Sequence, residues 1–456
     1  MLFSRIEESI LPASYRLSLL SIFAGALTCG FDSARAANLS IIDTGAIGDG
    51  KTLNTTAIQS AINKVVAQGG GTVVVPSGIF LTGALFLKPK VNLDIEANGV
   101  LLGSTNIEDY PSMPTRIEGH TQVWRPAILN ASGCDNLQIT GDGTIQGGGK
   151  PYWDKFYAAM KANPKTKNLD VDRPRNIFIE DSKNVTISGV SLRDSGFWNI
   201  HLYRCQHVTV EKVDIRAALH SPSTDGIDVD SCQDVTIHGC YISDNDDNIA
   251  LKGTKGPLAD QDAGSPPVSH IRISDCTFGH GNGILTLGSE ASYVHDVIVE
   301  NCKIEGNDSN HVLTIKLRPD TPQHYEDIHV RNIVINAPGS LINLAPWTQY
   351  FDLGGHAPPS QTVENVTISN VTGSTTSFGK IVGPAKSVVR NITLENIDLQ
   401  LKKPEVTIKN VEGLTVTNVK INGQPFTMPG QPNAGESASP ASAPAGSPPP
   451  SSATPP

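Results

Sequence analysis

The chain has 456 residues, a formal net charge of −10 and a sequence pI near 5.6. That balance excludes a basic face for nucleic acid. It also means that a polyanionic ligand must be held by a local group of Lys and Arg, because the overall field repels it.

Residues 1–36 read as an export signal. Arg16 precedes the apolar run LSLLSIFAGAL, and Ala34-Arg35-Ala36 offers a small-x-small cleavage site. The run is too short to span a bilayer, so the expected product is secreted or periplasmic, with no membrane attachment after cleavage.

Next comes GAIGDGKT, Gly45 to Thr52, a formal match to the phosphate-loop pattern. Asp49 would place a carboxylate among the cradling amides, and the helix that follows starts at Asn54-Thr55, too late to face a phosphate held by Lys51. The helix, with apolar Ile58, Ile62, Val65 and Val66, is better read as a cap over the open end of a solenoid.

The solenoid can be counted. A phrase V-x-I/V, with an apolar residue five positions after its first member, starts at Val185, Val208, Val235, Ile271, Val297, Ile328, Val366, Ile392 and Leu414, and an earlier copy starts at Leu137. The steps are 23, 27, 36, 26, 31, 38, 26 and 22 residues: a period in the low twenties plus insertions. Imperfect repeats of β-branched strands and turn residues, without helices, predict an all-β chain. The expected fold is a single-domain right-handed parallel β-helix over residues 37–427, in a monomer. A sandwich or propeller would need antiparallel hairpins with tight Asn-Gly turns, which are scarce. Residues 428–456, rich in Pro, Ser, Ala and Gly, are expected to be a disordered tail.

Seven cysteines in an exported chain invite a disulfide reading. However, Cys240, Cys276 and Cys302 each follow a strand marker by five residues, while Cys134, Cys205 and Cys232 each precede one by three. Two ladders of buried thiols are expected, with a Cys205–Cys232 bridge as the exception to test. The sequons Asn184-Val185-Thr186 and Asn365-Val366-Thr367 are what turn asparagines before β-branched strands produce.

The chemistry concentrates between Ser221 and Lys252. Asp225 stands 21 and 22 residues before the pair Asp246-Asp247, with strand, turn and strand between. If that is one coil, the three carboxylates stack at roughly 5 Å per rung and perturb one another's protonation. Asp228, Asp230 and Asp244 crowd the same rungs. Calcium would suit such oxygens. Lys252, Lys316 and Arg318 on the following rungs suit an acidic sugar better.

These residues, with the blocks IIDTGAIGDGKTLNTTAIQSAI and GGGTVVVPSGIFLTGALFLK, resemble the polygalacturonase family of pectin-degrading hydrolases, glycoside hydrolase family 28, to about residue 425. Of the family's signatures NTD, DD, G-H-G and R-I-K, the first stands here as Ser223-Thr224-Asp225 and the second as Asp246-Asp247. The resemblance implies that Asp246 is the general acid and that Asp225 with Asp247 activates water. Gly279-His280-Gly281 matches G-H-G literally, yet the following strand, ILTLGSE, aligns better if Asn282 takes the histidine position. R-I-K appears as Thr314-Ile315-Lys316, with Arg318 on the same face as a substitute. The phrases KLRPDTPQHYEDI and PWTQYFDL resemble a bacterial branch, which includes rhamnogalacturonan-cleaving members.

The expected activity is therefore hydrolysis of the α-galacturonosidic bonds of pectin with inversion and without a cofactor. Lys316 and Arg318 would meet the sugar carboxylate, with His280, Asn282 and Lys252 nearby. The alternatives are a rhamnogalacturonan hydrolase, a calcium-dependent pectate lyase and a non-catalytic β-helical carbohydrate-binding protein. The insertion Gly253–Ser269 and the segment Gly147–Arg175 are the expected cleft walls. Endo or exo attack stays open.

Overall fold

Alternate residues of each V-x-I/V phrase point inward, and successive phrases stack. The computed structural model describes residues 37–426; the expected export signal and the expected disordered tail lie outside the described residues. Val185 pairs with Val208, and the register then runs through Val235, Ile271, Val297, Ile328, Val366 and Ile392. Each of these pairings is parallel, so every coil is hydrogen-bonded to the next along the axis.

Among the described residues, one wound sheet takes in 31 strands around a continuous apolar core from Ile41 to Ile421. The fold is the expected all-β parallel β-helix. It begins before the first marker counted in the sequence. Ala37–Ser40 pairs with Gly71–Val75, which pairs with Val91–Ile95. The antiparallel exceptions are the hairpin Met113–Ile117/His120–Trp124 and a last pairing of Thr415–Ile421 with Gln424–Pro425.

Helix α1, Thr55–Ala67, buries Ile58, Ile62 and Val65 against the first coils, as a cap should. Val66 is the exception to the expected face: it is 38% exposed. The Asp49 carboxylate accepts from the amides of Lys51 and Thr52, both at 2.8 Å, so the phosphate-loop pattern fills its own amide cradle. The sequon asparagines are turn residues. Asn184 and Asn365 have φ of 56° and 55°, and their amides form ladders with Asn136 and with Asp327 and Asn391. The six described cysteines are free and buried; the Cys205 amide donates to the Cys232 sulfur at 3.2 Å, and no bridge joins the two.

A second helix, α2 (Lys150–Ala162), stands in the Gly147–Arg175 segment, where no helix was expected. It buries only Tyr152, Trp153 and Phe156, an apolar stripe too narrow to show as a 3.6-residue pattern. Among the described residues no helix is long and apolar enough to cross a membrane.

The sheet that carries the chemistry runs through Ile177–Glu180, Ile200–Tyr203, Ile227–Asp230, Ile249–Lys252, Leu285–Leu287, Asn310–Leu317 and Gly339–Pro346 in axial order. Its core-facing residues are aliphatic. Phe178, His201, Asp228, Ala250, Thr286, Thr314 and Asn343 form one outward row, in register from coil to coil.

Candidate active site

Ile227 pairs with Ile249 and Asp230 with Lys252, so the coil from Asp225 to Asp247 is 22 residues. The Gly226 amide donates to the Asp247 carbonyl at 2.9 Å, which locks the two aspartates into neighbouring positions just before their strands. One oxygen from each of Asp225, Asp246 and Asp247 lies within 4.8 Å of the others. Beneath them, buried Asp244 accepts from the Asp246 amide and the Asn248 side chain, both at 3.1 Å, and so fixes the turn that presents the pair.

The three carboxylates sit in different surroundings. Asp247 is buried. It accepts from Lys316 Nζ at 2.6 Å and Thr286 Oγ1 at 3.0 Å. Asp246 is half-buried; its carboxylate accepts from the Asp247 amide at 3.1 Å and from exposed Asn282 Nδ2 at 3.3 Å, with no ammonium among the described residues in direct contact. Burial and the Asp247 charge push its pKa up, against the pull of Lys316 and Lys252. Asp225 is buried beside Lys252 Nζ, 3.3 Å away; burial, Asp246 and Asp228 push it well up.

Lys252 is only 4% exposed, and it also lies 3.4 Å from Asp228 and 3.6 Å from Glu290. Burial pulls its pKa down, but Asp225, Asp228 and Glu290 together carry it well above the usual lysine value. Five carboxyl groups thus share two close lysines, and the cluster must retain protons. Asp228, whose oxygens accept no well-aligned hydrogen bond despite Lys252 nearby, is pushed by burial to about 8 and sits there as a neutral acid.

The G-H-G phrase holds the turn together. A Cβ on Gly281 would come 2.4 Å from the Asn248 amide nitrogen, so only glycine fits. His280, expected at the substrate, stands behind the cleft wall with Nε2 3.1 Å from Asn245 Oδ1. Asn282 lines the cleft and is in register with Asp246, its amide donating to the Asp246 carbonyl at 2.7 Å.

Arg318 also lines the cleft, but its guanidinium is committed elsewhere. It grips Asp320 through two bonds of 2.9 Å and donates to the Tyr350 carbonyl at 3.0 Å. At 2% exposure it braces the wall at Trp347–Tyr350 and leaves little of itself for a ligand. The expectation of a free cation beside Lys316 is corrected in that respect. Of the expected walls, α2 contributes Phe156, Tyr157 and Met160, and the 253–269 insertion contributes Lys255.

The sequence reading missed Trp198, Glu290 and Trp347. Trp198 could have been found, since Ile200 pairs with Ile227 and so places it one coil before Asp225. Lys252 lies over its ring at 4.7 Å, and Lys316 over Trp347 at 4.8 Å. Glu290 lies in the irregular phrase GSEAS, which carries no pattern.

A cleft of about 330 Å³ with half-buried and buried acids, lysines and flanking indoles is suited to acid–base chemistry on a polar, ring-shaped substrate. A family profile described as glycosyl hydrolases family 28 matches residues 69–421. A probable polygalacturonase of Vitis vinifera is 28% identical, over 84% of this chain and 79% of its own. Among solved structures, a hyperthermoactive exopolygalacturonase from Thermotoga maritima matches with a TM-score of 0.73 at 24% identity, covering 86% of this chain and 93% of that one. A polygalacturonase from Erwinia carotovora ssp. carotovora matches with a TM-score of 0.61 at 25% identity, over 82% of this chain and 95% of its own.

Proposed function

We propose, since the chain belongs to the family 28 glycosyl hydrolases and is therefore an enzyme that splits glycosidic bonds with water, that its substrate is a pectic chain cut at an α-galacturonosidic bond. The observation that carries this reading is the triad Asp225–Asp246–Asp247 set between Lys252 and Lys316 in one cleft. The names of the similar proteins support the substrate class.

Asp246, kept protonated by burial and by Asp247, gives its proton to the departing oxygen. Asp247, paired with Lys316, takes a proton from the attacking water, with Asp225 orienting that water from the neighbouring coil. Lys316 has ammonium hydrogens to spare after meeting Asp247, and these face the uronate carboxylate. Export and the bacterial branch belong to the same proposal, on the strength of the 1–36 segment and the KLRPDTPQHYEDI phrase respectively.

Inversion in a single displacement is the stereochemistry proposed. One observation favours the rival, retention: the acids approach within 4.8 Å, closer than the about 6.5–9.5 Å ordinarily found between inverting carboxyl groups. The first product formed from polygalacturonate, read by proton NMR before mutarotation, decides. The β-anomer is expected, and the α-anomer would establish a covalent intermediate. An unsaturated uronide absorbing in the ultraviolet would replace hydrolysis by lyase chemistry. Products from rhamnogalacturonan alone would move the reading to that backbone.

A further inference from the structure

We infer that the cleft is closed at its N-terminal end, so that the enzyme attacks a chain terminus and releases short uronides; this rests on the hydrolase reading above. The outward face of the site-bearing sheet is asymmetric about the triad. N-terminal to the triad, the outward residues Phe178, His201 and Tyr203 are all buried, although they face away from the core. On the other side of the triad, Asn343 and Ala345 are only half-buried, and Lys380, in register with Asn343 on the next coil, is exposed.

What covers the N-terminal stretch is the antiparallel hairpin Met113–Trp124. It crosses the sheet from one edge to the other. The Arg116 carbonyl accepts from Arg175, just before the strand Ile177–Glu180, at 2.7 Å. The guanidinium of Arg116 reaches Asp230, at the far end of its own strand, at 2.8 and 3.2 Å, and Thr254 at 3.1 Å. Ile117 and Trp124 pack with Phe197 and Trp198 in an apolar cluster separate from the main core.

The tip of the hairpin forms the end wall itself. Glu118 pairs with Lys255 at 3.5 Å, and both line the cleft. At Gly119, with φ of 77°, a Cβ would come 3.0 Å from the Lys255 backbone and 3.1 Å from Glu290. One buried ion pair, one half-buried pair, an apolar seam and backbone contact at the tip make this a fixed wall. A polymer cut in mid-chain must leave the cleft at both ends, and here one way out is sealed. Trp198 stands one coil from Asp225, and a coil is roughly 5 Å. Between catalytic acids and wall there is space for on the order of one or two sugar units. The cleft volume, about 330 Å³, lies at the small end of the about 300–1,000 Å³ common for ligand sites.

The test is the time course on polygalacturonate, reading viscosity against new reducing ends together with the earliest products. Galacturonate or its dimer from the first turnovers, with slow loss of viscosity, is expected. Early long oligomers with a steep viscosity drop would overturn the closed end and leave the hydrolase reading intact. No hydrolysis of any pectic polymer would overturn both. Replacing residues 114–123 by an Asn-Gly turn should open the groove and bring longer products. A folded variant that still releases only the shortest products would remove the hairpin as the cause. If the variant does not fold, the wild-type time course decides.

Discussion

Asp225 and Asp230 leave the same phrase, DGIDVD, and end in opposite electrostatic states. Burial would raise both. At Asp230, Arg116 and the His201 ring more than offset that burial, and the carboxylate is held far below its usual range. Asp225 has Lys252, but it shares that lysine with Asp228 and Glu290 and faces Asp246, and it is pushed well up. The difference lies in coverage. The Met113–Trp124 hairpin brings Asp230 a cation of its own and closes over it, whereas Asp225 lines the open cleft with too few cations nearby. One acid is structural and the other is poised for chemistry, although their sequence surroundings are nearly the same.

The largest expected effect separates these two roles. Asp246→Asn should lower turnover by about 10²–10⁴-fold, the ordinary worth of a positioned proton donor, with an unchanged melting temperature. Asp230→Asn should do the reverse. It leaves the buried Arg116 charge uncompensated, at a cost of about 3–5 kcal/mol in denaturant unfolding. The Asp230 pKa is depressed on folding, so its stabilisation is present above the unfolded value, about 3.9, and fades as pH falls through the folded one. The gap between wild type and Asp230→Asn should therefore narrow in acid. An Asp246→Asn variant with most of its rate, or an Asp230→Asn variant with native stability, would break the comparison.

A smaller effect sharpens it. Lys316→Met removes the charge-assisted bond to Asp247, worth about 1.5–3 kcal/mol, so kcat/KM should fall about tenfold or more. Lys316 also lowers the Asp246 pKa. Without it Asp246 keeps its proton to higher pH, and because a general acid works protonated, the basic limb of the pH–rate profile should move upward. A basic limb that stays in place would separate Lys316 from the acid.

Repetition made the solenoid legible. The marker valines and isoleucines recur because each coil must present the same apolar residues to the core, and that constraint acts on neighbours in sequence. Asp225, Asp246 and Asp247 were legible for the same reason, since a single coil separates them. What stayed hidden depends on contacts across long stretches of chain. The Arg116–Asp230 pair spans 114 residues and Lys316–Asp247 spans 69, with no spacing rule to announce either. The pairing of Arg318 with Asp320, two residues on, is likewise announced by no spacing rule, so the sequence offers Arg318 as a free cation. Helix α2 was hidden by its narrow apolar stripe, and Glu290 by an irregular loop.

The smallest expected effect is no effect, and it concerns the one chemistry that would unite the acids differently. Oxygens from Asp225, Asp246 and Asp247 lie close enough together to ligate a divalent cation. The positions such an ion would neutralise already have ammonium groups: Lys316 at 2.6 Å from Asp247 and Lys252 at 3.3 Å from Asp225. A calcium ion would have to bind against both fixed charges. EDTA should therefore leave rate and melting temperature unchanged, and added calcium should not raise either. An ion bound at a hundred times its Kd would stabilise the fold by about 2.7 kcal/mol, a shift that calorimetry resolves. A chelator-induced drop restored by calcium would mean that the lysines yield to the metal, and the triad would then be a ligand set and not an acid with its bases.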